Sequence, residues 1–163
     1  MTTFREIAGA VYRKDLTALG RLTRDEANLR DSDGRTPLMH AVLAEEADPR
    51  VVAALIDRGT DVNAADTGQQ WTTLHFAARD LDPRLVRLLL DAGAEVDAED
   101  VFGNTPLWRA VRNVGTDSEA IQALLRHGAD PRRKNRNGVS PLDLARETGP
   151  EDVATLLERF PRP

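Results

Sequence analysis

The chain has 163 residues, 30% of them charged and 40% hydrophobic, the size and balance of one globular domain. Its net charge of −5 argues against nonspecific nucleic-acid binding, which depends on neutralising phosphates. The lack of cysteine excludes disulfides, thiolate metal sites and cysteine nucleophiles.

Aromatic residues make up only 4%, so the core must rest on Leu, Val, Ile and Ala. Many thin helix contacts suit such a composition better than one thick centre. The first residues, with Arg5 and Glu6 among them, lack the apolar run of a signal peptide. No stretch approaches the ~20 apolar residues of a membrane span. The expectation is a cytoplasmic protein without a membrane partner. Lysine occurs at Lys14 and Lys134 alone, and arginine carries the remaining positive charge. That skew points to a GC-rich, bacterial coding sequence.

In chain order, residues 1–30 carry Ile7, Ala8, Ala10 and Val11, then Leu16, Leu19 and Leu22, the spacing of a short, irregular helix pair. Residues 31–65 open on Asp31-Ser32-Asp33-Gly34, a turn, followed by Thr36-Pro37-Leu38. A threonine hydroxyl there caps a helix, and proline at the first helical position sacrifices no hydrogen bond. A second helix follows on Val51, Val52, Leu55 and Ile56, and Gly59 suits its left-handed C-cap. Residues 66–99 repeat the pattern with Leu74, His75, Ala77 and Ala78, then Leu85, Val86, Leu88, Leu89 and Leu90, then Gly93. This segment has one extra turn residue near Gln69-Gln70, and Thr73 stands where the others have proline. Residues 100–134 run through Thr105-Pro106-Leu107 and Ile121, Leu124 and Leu125 to Gly128. Residues 135–163 close with Ser140-Pro141-Leu142 and an inward face of Val153, Leu156 and Leu157. The connection between paired helices reads as two residues longer around Glu45-Glu46 and Val114-Gly115.

Leu38, Leu74, Leu107 and Leu142 stand 36, 33 and 35 residues apart. A period near 33 with a Thr-Pro-Leu-His-like start resembles the ankyrin repeat over about residues 31–160. The resemblance implies an all-α solenoid of about five stacked helix pairs with short β-hairpin-like turns between repeats. Residues 1–30 and 135–163 would be its N- and C-terminal capping repeats, and 31–65, 66–99 and 100–134 its full repeats. The polar outer faces of the two ends read as a closed stack, one domain without room for another.

No catalytic constellation emerges. The three histidines lack metal-ligand spacing, and there is no Gly-x-Ser-x-Gly or phosphate-cradling loop. No catalytic residue, metal or cofactor is expected. His75 sits at the repeat's usual histidine, where the imidazole of this family braces the turn. His40 lies one residue later in its own helix, facing the concave side, and His127 ends a helix, where a partly cationic ring suits the dipole.

Ankyrin-like stacks bind partner proteins through hairpin tips and the concave face of the first helices. On this chain the resemblance implies partner contacts at the tip residues Asp33, Arg35, Gln70, Trp71, Phe102, Asn104 and Arg136, and at Tyr12, Arg79, Asp80, Arg112 and Asn113 on first helices. Trp71 and Phe102 are aromatic at positions that are normally solvated. Each is either an interface anchor or a ring filling a local gap. Trp108, in the place of the usual histidine, reads as packing. Glu95, Asp97, Glu99 and Asp100 make one hairpin acidic, and Arg132, Arg133, Lys134 and Arg136 make the next basic. This gradient either steers a partner or pairs internally. The expected function is a protein-binding adaptor or steric inhibitor, monomeric alone. An immunity protein neutralising a bacterial toxin is one alternative, and a self-associating or chaperone-like scaffold another.

Overall fold

The structure is a computed structural model and describes residues 2–115 and 118–160. The expected capping repeats therefore lie within the described residues except for Met1 and residues 161–163. Residues 116 and 117 of the third connection also lie outside them.

Among the described residues the chain forms eleven helices: α1 (Phe4–Tyr12), α2 (Leu16–Leu19), α3 (Arg24–Ala27), α4 (Pro37–Leu43), α5 (Pro49–Asp57), α6 (Thr73–Arg79), α7 (Pro83–Asp91), α8 (Pro106–Asn113), α9 (Glu119–Arg126), α10 (Pro141–Thr148) and α11 (Glu151–Arg159). The fold is all-α. The turns between repeats hold no strands among the described residues, only an isolated antiparallel bridge between Ala65 and Thr72. The first segment is more broken than its hydrophobic spacing implies: after α1 it makes two one-turn helices, each ended within a few residues.

The caps fall where the Thr/Ser-Pro-Leu pattern places them. Thr36, Thr105 and Ser140 sit extended, and their hydroxyls accept the backbone N–H three residues on, at Met39, Trp108 and Asp143. The aligned leucines 38, 74, 107 and 142 are buried behind them, as are Ala41, Ala77, Ala78, Ala110 and Ala145. The second helices end at Gly59, Gly93 and Gly128, with φ of 77°, 89° and 91°. Five residues separate α4 from α5 and α8 from α9, and three separate α6 from α7, in line with the two longer connections read from the sequence.

The chain divides into two compact units between Thr73 and Leu74. In the first, α1 packs on α4, α2 and α3, while α5 packs on α4 and α2, around Ile7, Leu19, Leu38, Met39 and Leu55. In the second, α9 packs on α7 and α8, and α10 on α8 and α11, around Leu89, Leu107, Ile121, Leu124 and Leu157. Each such side chain contributes about 1.5–3 kcal/mol on leaving water. Val153 and Leu157 face inward in α11 as expected, whereas Leu156 stays half-buried.

Polar staples at one repeat's offset join successive turns. Asn28 donates to the carbonyl of Gly59 and accepts from the N–H of Asp61, and the Asp97 carboxylate accepts the N–H of Asp130. The N–H of Thr67 donates to the carbonyl of Asp33, and that of Arg136 to the carbonyl of Phe102. These are backbone groups that the turns leave unpaired, so the stack satisfies what one repeat alone cannot.

Candidate partner-binding surface

Every turn is built on one side chain. Oδ1 of Asp31 accepts the N–H groups of Asp33 and Arg35, that of Asp100 those of Phe102 and Asn104, and that of Asn135 those of Asn137 and Val139. In the second repeat Asp66 accepts from Gln69 and Trp71 instead, one residue further on. That shift is the extra residue seen in the sequence. Left-handed backbone, supplied by glycine in the other turns, falls there on Gln70, at φ 57°.

On the first unit, Asp33 is exposed and its carboxylate lies 3.7 Å from the Arg35 guanidinium. Gln70 is exposed, and its amide nitrogen donates back to the Asp66 carbonyl. Trp71, at a position that is normally solvated, is half-buried. Tyr12 is 55% exposed at the end of α1, and its hydroxyl lies 2.7 Å from Nδ1 of His40.

On the second unit, Phe102 is 49% exposed at its turn, and its carbonyl holds the N–H of the exposed Arg136. Arg79 grips the neighbouring Asp80 with two hydrogen bonds, and the Asn113 side chain donates to the Arg79 carbonyl. Arg112 is exposed, with its guanidinium 5.8 Å from the centre of the Trp108 ring; that of Arg109 lies 5.3 Å from it. Trp108 is thus a half-buried stacking surface for two arginines as well as a packing residue. Its Arg112 stack leaves no trace in local sequence pattern beyond the four-residue spacing.

Asn104 is a correction. It is only 4% exposed, its side chain spans Asp100 and Asn135, and its carbonyl accepts from Nε2 of His75. The turn needs those bonds, so its side chain is not presented to a partner. His75, fully buried, braces that turn as expected. The acidic and basic hairpins pair internally: Arg133 bonds Glu99 at 2.7 Å, and Arg132 caps the carbonyls of Glu158 and Phe160.

Asp100 is the most buried carboxylate of these turns, paired with Arg109. Burial opposes its charge, but the Arg109 hydrogen bond and the two turn amides outweigh burial and hold its pKa below the ordinary aspartate range.

The repeat geometry matches a known family. The family description "Ankyrin repeats (3 copies)" fits residues 7–100 and 74–160. The chain belongs to the ankyrin-repeat family. Among curated proteins it is similar to Inversin of Canis lupus familiaris, 38% identical over 94% of this chain and 14% of that protein. It is also similar to Inversin of Gallus gallus, 33% identical over 76% of this chain and 11% of that protein. The ankyrin repeat protein YahD of Escherichia coli (strain K12) is 47% identical over 34% of this chain and 29% of that protein. The chain thus spans less than a third of the length of these relatives. Ankyrin repeats are protein–protein interaction modules, a non-enzymatic fold. Among the described residues, no helix of this ankyrin-repeat chain is long and apolar enough to cross a membrane.

Proposed function

We propose that this chain binds a partner protein through its exposed turn and first-helix side chains, acting as an adaptor or a steric inhibitor. The observation that carries this reading is Phe102, an aromatic ring left 49% exposed on a turn that Asp100, Asn104 and Asn135 hold rigid. A rigid, exposed aromatic loses little entropy on binding, and aromatic and arginine side chains dominate interface energetics. Arg112, stacked on Trp108 in the same unit, supplies a second such group.

The test is capture of the partner from the native host, followed by affinity measurement with Phe102→Ala and Arg112→Ala. Each should weaken binding by about 1–3 kcal/mol, the range of interface anchors. A captured partner that binds both variants at the original affinity refutes the surface. A partner enzyme that loses activity on binding identifies an inhibitor, and one that recruits a third component identifies an adaptor. Among the described residues the exposed large apolar side chains are Tyr12, Leu16 and Phe102.

A further inference from the structure

We infer that Tyr12 and the cavity beside it form a docking site for a cationic side chain, arginine or lysine, of a partner protein; this rests on the reading that the chain is a protein-binding module. The site lies wholly within the first unit.

A chain of two hydrogen bonds runs from the Asp31 carboxylate through His40 to the Tyr12 hydroxyl. Nε2 of His40 lies 2.7 Å from Oδ2 of Asp31, whose other oxygen accepts the N–H groups of Asp33 and Arg35. Burial opposes the charge of Asp31, but the His40 hydrogen bond and those two amides hold its pKa below the usual range. An ionised carboxylate only accepts, so Nε2 donates to it. In the neutral ring Nδ1 is an acceptor, and the Tyr12 hydroxyl 2.7 Å away donates to it. In that form the phenolic hydrogen points inward and the oxygen lone pairs point outward. Phe4 and Tyr12 both meet the imidazole edge-to-face, at centroid distances of 5.2 and 6.0 Å, which fixes the ring. His40 is a positioning residue: it turns an exposed tyrosine into a hydrogen-bond acceptor.

Tyr12 borders an open cavity of about 290 Å³ between α1, α4 and the start of α5. Val11, Ala41, Ala44 and Val51 supply apolar lining. Glu45, Glu46 and Asp48 line it as well, against one ammonium, Lys14. Asp48 is already committed, since its hydrogen bonds to Arg50 hold its pKa down to about 2. Glu46 pairs with Lys14 at 3.2 Å but remains 86% exposed. Glu45 is exposed and has neither a hydrogen-bond nor an ion-pair partner among the described residues.

Apolar lining, an aromatic wall, an outward acceptor and accessible carboxylates fit a long alkyl stem ending in a cation. A carboxylate or phosphate ligand would find one donor, Lys14, and would face the outward lone pairs of Tyr12. Charge complementarity therefore commits the site to a guanidinium or ammonium group.

The test uses the whole chain, labelled with nitrogen-15, and a capped Gly-Arg-Gly peptide. Its citrulline counterpart, equal in shape but uncharged, is the control. The expected result is saturable shifts at the amides of Tyr12, Lys14, Glu45 and Glu46 with about millimolar affinity, and at least about tenfold weaker binding of the citrulline peptide. Glu45→Gln and Tyr12→Phe should each weaken the arginine peptide about threefold to tenfold. His40→Phe should lower the arginine-over-citrulline preference with Tyr12 intact, an effect that a packing role alone would not produce. Lys14→Ala should strengthen binding, because it releases Glu46. Equal affinity for both peptides overturns the site, as does the absence of saturable shifts in both the original chain and Lys14→Ala. If a native partner is captured through Phe102 and Arg112 while this test fails, only the cationic site is lost. If the peptide binds here and captured partners ignore Phe102 and Arg112, the surface proposed for the second unit is lost instead.

Discussion

Asn104 and Phe102 are two residues apart and do opposite work. Asn104 is buried and bridges two turns, while Phe102 is held outward by the same Asp100 carboxylate. Asn104→Ala should therefore cost about 1–3 kcal/mol of stability by leaving buried groups unpaired, and leave partner affinity unchanged in the folded fraction. Phe102→Ala should change stability by no more than about 0.5 kcal/mol yet weaken partner binding. Denaturant melts and binding isotherms on both variants check this crossed pattern, and a loss of affinity in folded Asn104→Ala would restore Asn104 to the binding surface. Asp100 adds a pH dependence. Because its folded pKa is depressed, its stabilisation is present above the unfolded value of about 4 and is lost as pH falls through the folded value. Asp100→Asn should cost about 3 kcal/mol at neutral pH, and its stability curve should be flatter than that of the original chain below pH of about 4. Parallel acid titrations of the two would contradict the assignment.

At the scale of elements, α6 is the exception among the first helices of the repeats. Its Thr73 is fully buried and its hydroxyl has no hydrogen-bond partner among the described residues, whereas Pro37, Pro106 and Pro141 open the equivalent helices. Thr72 before it is held extended by its bridge to Ala65, the conformation that a following proline demands. Thr73→Pro should thus raise stability by about 0.5–1 kcal/mol, chiefly by restricting the unfolded chain. A lower melting temperature would show that the Thr73 N–H is needed. The turns behave differently. Gly34 has φ 74°, and a Cβ there would sit 2.6 Å from the Thr67 side chain and 3.0 Å from its backbone nitrogen. Gly34→Ala should cost about 1–3 kcal/mol, from left-handed strain and the clash together, read by the same melts.

On the scale of the whole molecule, stability is assembled from contacts between neighbouring helices rather than one common centre. Leu124 of α9 is fully buried where α9 packs on α7 and α8. Leu124→Ala should cost about 2–5 kcal/mol, and hydrogen exchange should quicken first in α7, α8 and α9. Exchange that rises equally in α1 would mean the chain unfolds as one block.

The sequence by itself determined the repeat, its helix starts and its glycine stops, because caps, prolines and left-handed turns act within a few residues. It also showed the extra residue of the second turn, which moves the Asp66 bonds by one position. It did not determine which polar residues are spent on the fold. Asn104 reads as a tip residue until its bond to Asn135, a full repeat away, buries it. Tyr12 reads as a first-helix contact residue until His40, 28 residues on, meets its hydroxyl, and the acidic and basic hairpins leave steering and internal pairing both open until Arg133 meets Glu99. Only the stacking of repeats decides these pairings, because it brings side chains about 30 residues apart within hydrogen-bonding distance, where no local pattern constrains them.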